Sequence, residues 1–243
     1  MSNAIQTGIL ADKDHKLTSP AQCTNYLHDN SGLSLYDRIT DSLGIARGTR
    51  DDNAIALIKL AASMEYTSMG SIVIRSGDEM GYSSSQSSAI NWNNLITYSD
   101  LHAYYCNLIQ LRKTISKLTS GSTSSCSDFV FDTTSTDQIA YVINNDGNNQ
   151  WNKIAVMHNN SDSNKWMTLP ATSTDKWVIV ANDESAGFET LKIVSGNSFS
   201  VPVHSSIIAV DAESYCNTDV VSDMRNVIVK YVDEEGNEIK TAD

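Results

Sequence analysis

Two short sets of ionisable residues in this 243-residue chain are placed where chemistry could happen. His28-Asp29 follows residues 23–27, a short strand candidate, and Gly77-Asp78-Glu79 follows residues 71–75 (SIVIR), a β-branched run. Carboxylates at strand ends can give or take protons, or accept hydrogen bonds from a ligand. The plainer reading is a polar loop at His28-Asp29 and a turn with a helix-capping acid at Asp78-Glu79. Trp92, Trp151, Trp166 and Trp177 offer faces on which sugar rings could stack, although tryptophans in amphipathic strands are more often core.

Other chemistries find little support. His15, His102, His158 and His204 are scattered without ligand spacing, and Cys23, Cys106, Cys126 and Cys216 form no C-x-x-C pair. Residues 144–149 (NNDGNN) are rich in oxygen ligands but lack the glutamate spacing of an EF-hand, and read as a hairpin loop. A nucleophile motif, a phosphate-binding loop and a dinucleotide fingerprint are all missing, so no metal or cofactor is expected. Seventeen Lys and Arg against 29 Asp and Glu leave a net charge of −12, which repels phosphate backbones and argues against nucleic acid. No apolar run approaches the roughly 18–20 residues that cross a bilayer, so no membrane insertion is expected. Met1-Ser2-Asn3-Ala4 lacks the basic start and apolar core of a signal peptide.

The elements that must position these residues divide by period. Apolar residues at 33, 35, 36, 39 and 43 predict a short helix or turn. Asp51 and Asp52 predict a helix start, followed by an apolar stripe at 54, 55, 57, 58, 61 and 64 and a break at Gly70. A second helix is predicted over 100–117, its buried face formed by Tyr104, Tyr105, Leu108, Ile109, Leu111 and Ile115. The Ser/Thr/Gly run 119–127 reads as a linker. From 128 onward the period becomes two, with strands predicted at 128–132, 138–144, 153–159, 165–169, 176–181, 188–194, 197–201 and 206–211. Strands this short and closely spaced predict an antiparallel sandwich. Residues 212–226 read as loop and 227–243 as a hairpin turned at Glu235-Gly236-Asn237. Cys126 and Cys216 bracket the all-β region and are the candidate disulfide pair, while Cys106 is expected to be a free thiol.

Several of these segments resemble type I pullulanases of the α-amylase superfamily, in the right order. Asn25-Tyr26-Leu27 with Leu35-Tyr36-Asp37-Arg38-Ile39 is similar to that family's seventh-strand region. Residues 50–92 resemble its last helix–strand–loop unit, and Leu108-Ile109 with Leu111-Arg112-Lys113 its "LIxLRK" helix. Trp151, Lys153-Ile154-Ala155-Val156, Thr168-Leu169-Pro170, Trp177, Ala186-Gly187, Glu189-Thr190-Leu191 and Val201-Pro202 resemble its C-terminal sandwich. Val229-Lys230-Tyr231-Val232-Asp233 with Gly236-Asn237-Glu238-Ile239 looks like the start of a mucin-binding repeat of Gram-positive surface proteins.

The resemblance implies an α+β chain: the C-terminal remnant of a (β/α)8 barrel over 1–118, an antiparallel β-sandwich over 119–215, and a linker with a truncated surface repeat over 216–243. It implies a secreted or cell-surface enzyme that hydrolyses α-1,6 links in an α-glucan such as pullulan, starch or glycogen. A retaining glycosidase needs a nucleophile and an acid/base about 5 Å apart. In this superfamily both come from the fourth and fifth strands, so the chain alone is expected to be inactive. A third acid, a transition-state stabiliser in a His-Asp pair after the seventh strand, falls on Asp29 with His28 beside it, or, aligned without gaps, on Asn30-Ser31. A two-residue slip keeps the same strand face, so both alignments stand. Asp78, Glu79 and Trp92 would then line the substrate site. The alternatives are a non-catalytic carbohydrate-binding or adhesion module, or a degenerate homologue. A partial barrel would also leave strand faces open to self-association.

Overall fold

The computed structural model describes residues 9, 22–28, 32–85, 89–119, 128–132, 137–145, 151–170, 172–217, 231–232 and 238–240. In chain order, β1 (Thr24–Asn25) leads to α1 (Leu35–Leu43), α2 (Asp52–Tyr66) and β2 (Ser71–Ile72), then to α3 (Asn94–Thr97), α4 (Ser99–Thr114) and α5 (Ser116–Thr119). The β region follows as β3 (Phe129–Asp132), β4 (Gln138–Asn144), β5 (Lys153–Asn159), β6 (Lys165–Thr168), β7 (Lys176–Ala181), β8 (Lys192–Ser195), β9 (Ser198–Val201) and β10 (Ser205–Asp211). Helix α6 (Ala212–Asn217) and the antiparallel pair β11 (Tyr231–Val232) and β12 (Glu238–Lys240) come last.

Caps set the helix starts. The Ser34 hydroxyl accepts the Asp37 N–H to open α1, and Gly44, left-handed at φ 70°, closes it. Asp51 accepts the Ala54 N–H to open α2. The buried face of α2 differs from the predicted apolar stripe: Lys59, Ser63 and Glu65, outside the stripe, are buried with Ala54, Ile55 and Ile58, whereas Leu57, Ala61 and Met64 of the stripe are only half-buried.

Six strands form one antiparallel sheet in the order β3-β4-β5-β10-β7-β8. Alternation along the strands supplies both faces. Ile139, Tyr141, Ile154, Val156, Val178, Val180, Ile208 and Val210 join Ile58, Leu101, Tyr105 and Leu108 in a core against the helices. Ala155, Met157, Trp177, Ile179 and Ala209 face the other way, packing with Met167 of β6 and Phe199 and Val201 of β9, which pair as a second small sheet. The central strands therefore read as nearly continuous apolar runs. The first of these cores joins residues from before and after the 119–127 segment.

Strands β1 and β2 pair in parallel, Thr24 opposite Ser71 and Asn25 opposite Ile72, with α1 and α2 as the crossover. Both are shorter than the predicted 23–27 and 71–75. Among the described residues each has only the other as a neighbour, and Tyr26, Val73 and Ile74 are exposed just beyond the pairing.

Other differences have local causes. Ile109, predicted on the buried face of its helix, is 36% exposed, because α4 turns that side away from α2 and the sheet. Residues 212–217 are helical rather than loop, because Asp211 caps the Ser214 N–H at 3.0 Å. The strand predicted at 188–194 is shifted to Lys192–Ser195. Cys106 is an exposed free thiol and Cys23 a half-buried one. The Cys126–Cys216 pairing rests on Cys126, which, like Asp29 and Asn30-Ser31, lies outside the described residues.

Candidate functional site

The C-terminal ends of β1 and β2 bring His28 and Asp78 together. Asp78 opens a single 3-10 turn, Asp78–Met80, flanked by Gly77 (φ 99°) and Gly81 (φ 63°). The turn fits only with glycine at both ends: a Cβ on Gly77 would lie 2.7 Å from Tyr82 Cβ, and one on Gly81 2.7 Å from the Tyr98 ring. Glu79 folds back so that its Oε2 accepts the Gly77 N–H at 2.9 Å, a local capping contact. Asp78 points inward and is 5% exposed. Burial pushes its carboxyl up to about 6, with the charges of His28 and Arg75 opposing. Among the described residues, His28 Nδ1 and Asp78 Oδ1 are both buried without a hydrogen-bond partner.

Behind Asp78 lies Glu65 of α2, which the sequence reading passed over. It is 6% exposed, and its Oε1 has no partner among the described residues. Burial pushes it up to about 8, the nearby Asp78 adds to the rise, and Arg112 opposes it. Two carboxyls thus titrate near neutrality, with His28 beside one of them. Such groups can hold or pass a proton, but neither is open to solvent.

Two further residues shape the site without a signal in composition or period. Arg112 of α4 is buried, and its guanidinium donates to the carbonyls of Tyr66, Ser68, Gly70 and Leu118, tying the end of α2 and the entry to β2 to α5. Asp37 of α1 accepts from the Ser83 hydroxyl and from the N–H and hydroxyl of Ser84, fixing the loop after the 3-10 turn. Burial alone would raise the Asp37 carboxyl, but these hydrogen bonds outweigh it and hold it below the usual carboxylate range. A depressed folded-state value means a contribution present above the ordinary aspartate range and lost as pH falls through the folded value. Asp37→Ala should therefore cost about 2–3 kcal/mol at pH 7 by urea unfolding. The gap should close on acidification; a gap unchanged at pH 2.5 would disprove the account.

Of the tryptophans, Trp151 and Trp177 are core, and Trp177 Nε1 donates to Asn197 Oδ1 at 3.1 Å. Trp92, in the turn before α3, is 67% exposed, and Trp166 on β6 is 77% exposed. Both keep an open indole face. Among the described residues no group of three or more His, Cys, Asp or Glu is disposed to hold a metal ion, and no helix is long and apolar enough to cross a membrane.

Comparison with known proteins places this geometry. A family model described as "Pullulanase, all-beta domain" matches residues 128–185. Among solved structures, a pullulanase from Bacillus acidopullulyticus matches 86% of this chain and 26% of its own, at 21% identity and a TM-score of 0.74. Pullulanase type I from Bacillus subtilis str. 168, complexed with maltose, matches 86% of this chain and 31% of its own, at 18% identity and a TM-score of 0.73. The Group B Streptococcus pullulanase SAP, in complex with maltotetraose, matches 84% and 34%, at 15% identity and a TM-score of 0.68. No curated protein matches the chain by sequence. The chain spans about a quarter to a third of the length of these structures. Residues 128–185 are thus similar to the pullulanase all-β domain, and the fold likeness extends well beyond them into the helical region.

Proposed function

We propose that this chain is the C-terminal portion of a pullulanase-like glycoside hydrolase acting on α-1,6 links of an α-glucan, exported to the outside or surface of a Gram-positive cell. In this reading β1 and β2 are the last two strands of a (β/α)8 barrel, and the six-stranded sheet with β6 and β9 is the domain that follows it. The observation that carries it is the order of parts: a parallel β–α–α–β unit, then α4, then an all-β region similar to the pullulanase domain, within a fold likeness covering 86% of the chain. His28 and Asp78 sit at the carboxyl ends of the parallel strands, where a barrel of this kind keeps its active site.

The nucleophile and acid/base are assigned by resemblance to the fourth and fifth strands of such a barrel. Asp37, Glu65 and Asp78 are buried, and Glu79 caps its own turn. The purified chain should therefore release no reducing sugar from pullulan while folded by circular dichroism. Release that disappears in Asp78→Ala or Glu79→Ala would instead mean that the chain holds its own catalytic pair.

Exposed Trp92 and Trp166 favour a second reading, non-catalytic glucan binding. Titration with maltotetraose distinguishes them: saturable quenching of tryptophan fluorescence, lost in Trp166→Ala or Trp92→Ala, would support the binding module. Exposed Tyr26, Val73 and Ile74 beside the short parallel pair underlie a tendency to self-associate, which sedimentation at rising concentration reads directly.

A further inference from the structure

An apolar groove of about 340 Å³ lies between the helices and the sheet, remote in character from the acidic site. Leu35 and Ile39 of α1, Leu57, Leu60, Ala61 and Met64 of α2, and Ile139 of β4 form its apolar walls, and Asp137, Gln138 and Asn160 add polar groups to the lining. Its volume falls within the roughly 300–1,000 Å³ of small-molecule sites, and its lining has the same mostly apolar character.

One buried polar group in the lining has an unmet bond. His158 of β5 is 2% exposed and lines the groove. Its Nδ1 lies 2.7 Å from the Ser206 hydroxyl, across the β5–β10 register. Among the described residues its Nε2 is buried without a partner. Burial pushes the imidazole down to about 3, so the ring is neutral at ordinary pH and carries one proton.

The position of that proton follows from counting donors. If Nδ1 carried it, the ring would donate to Ser206, leaving both the serine O–H and the bare Nε2 buried without partners. If Ser206 donates to Nδ1, the serine proton is used, and a single group, the Nε2–H, is left over. The second arrangement leaves fewer buried groups unpaired and is the stable one. The groove therefore offers apolar walls, a polar stretch at Asp137, Gln138 and Asn160, and a buried neutral N–H donor on His158.

We propose that this groove is a binding site for a small uncharged molecule with an apolar body and one hydrogen-bond acceptor oxygen, which takes the His158 Nε2–H. An acceptor satisfies the orphan donor, whereas a purely apolar occupant leaves it unpaired. A cation has no lone pair to accept the Nε2–H, and an anion would lose its hydration beside a neutral ring while sharing the lining with Asp137. The reading does not depend on the glucan assignment, since it uses neither the acidic site nor the exposed tryptophans.

The test compares two molecules of nearly the same shape, cyclohexanone and methylenecyclohexane, by NMR titration of the ¹⁵N-histidine-labelled chain. The ketone should bind about tenfold more tightly and move the His158 Nε2 resonance. Replacing both His158 by Phe and Ser206 by Ala removes the donor without leaving an unpaired hydroxyl, and should make the two affinities equal. Ala61→Phe, a half-buried position, should fill the groove and abolish both. Equal affinities in the unaltered chain, ketone binding that survives Ala61→Phe, or no binding at saturating ketone would each overturn the proposal. So would a His158 resonance that moves with protein concentration alone, which would mean that a second copy covers the groove.

Discussion

Arg112→Met should lower the unfolding free energy by about 3–5 kcal/mol. The methionine matches the length of the stem but supplies no donor, so the carbonyls of Tyr66, Ser68 and Gly70 lose a charged partner in a buried setting. The Leu118 carbonyl loses one of two donors, because the Gly70 N–H also reaches it at 3.1 Å. Glu65 meanwhile loses the positive charge that opposes its rise. The damage centres on the turn between α2 and β2, the piece that delivers Asp78 to its place. Denaturant unfolding of the two proteins gives the difference directly. A loss under about 1 kcal/mol would mean that water satisfies these carbonyls and that the guanidinium is not their anchor. Arg112→Lys should recover only part of the loss, since an ammonium cannot span four separated acceptors in the plane of a guanidinium.

Between pH 6 and pH 8 the protein should lose about 1–3 kcal/mol of stability, and Glu65→Gln should remove most of that loss. Glu65 has a folded value near 8 against an ordinary value of 4.5, and Asp78 one near 6 against 3.8. Where the folded carboxyl keeps a proton that the unfolded one has released, the folded state binds more protons, so stability falls as pH rises. For Glu65 that window runs from about pH 4.5 to about pH 8. His158 acts in the opposite sense, because its folded value near 3 lies below the ordinary 6.5, so its contribution is lost on acidification below pH 6.5. Above pH 6.5 its part is nearly constant, and the alkaline slope belongs to Glu65. The glutamine variant should match the parent near pH 5 and exceed it at pH 8. A parent curve that is flat from pH 6 to pH 8 would mean that Glu65 ionises normally, with water or a cation reaching it.

Periodicity along the chain was enough to locate most elements. Short apolar runs bounded by turn residues placed β4, β5 and β7 with their observed bounds, and the stripe after Asp51-Asp52 marked α2 from a carboxylate cap visible in the residues themselves. Both signals are local: a buried strand must be apolar and a helix must cap its first turn wherever the rest of the chain goes. The lengths of β1 and β2 were not legible in this way, because a β-branched run says that residues can be strand, while the presence of neighbours decides how far pairing extends. Ile109 shows the same limit on α4, where its period suited the core but the packing partner lay elsewhere.

The candidate site divides along the same line. Gly77-Asp78-Glu79 stood out in the sequence because glycine before acids after an apolar run is a turn signal, and His28 stood out by its place after a strand. Nothing in the residues told Asp78, buried and raised toward neutrality, from Glu79, which caps its own turn. Glu65, Asp37, Arg112 and His158 sit in unremarkable helical or strand positions, and their importance comes from what lies against them across long stretches of chain. The sequence by itself determined the order of most elements, the antiparallel strands after residue 128 and the similarity to the pullulanase all-β region, since these rest on short-range pattern. Only the tertiary structure decided which polar groups lose water and which find partners, because desolvation and hydrogen bonding depend on neighbours tens of residues away along the chain.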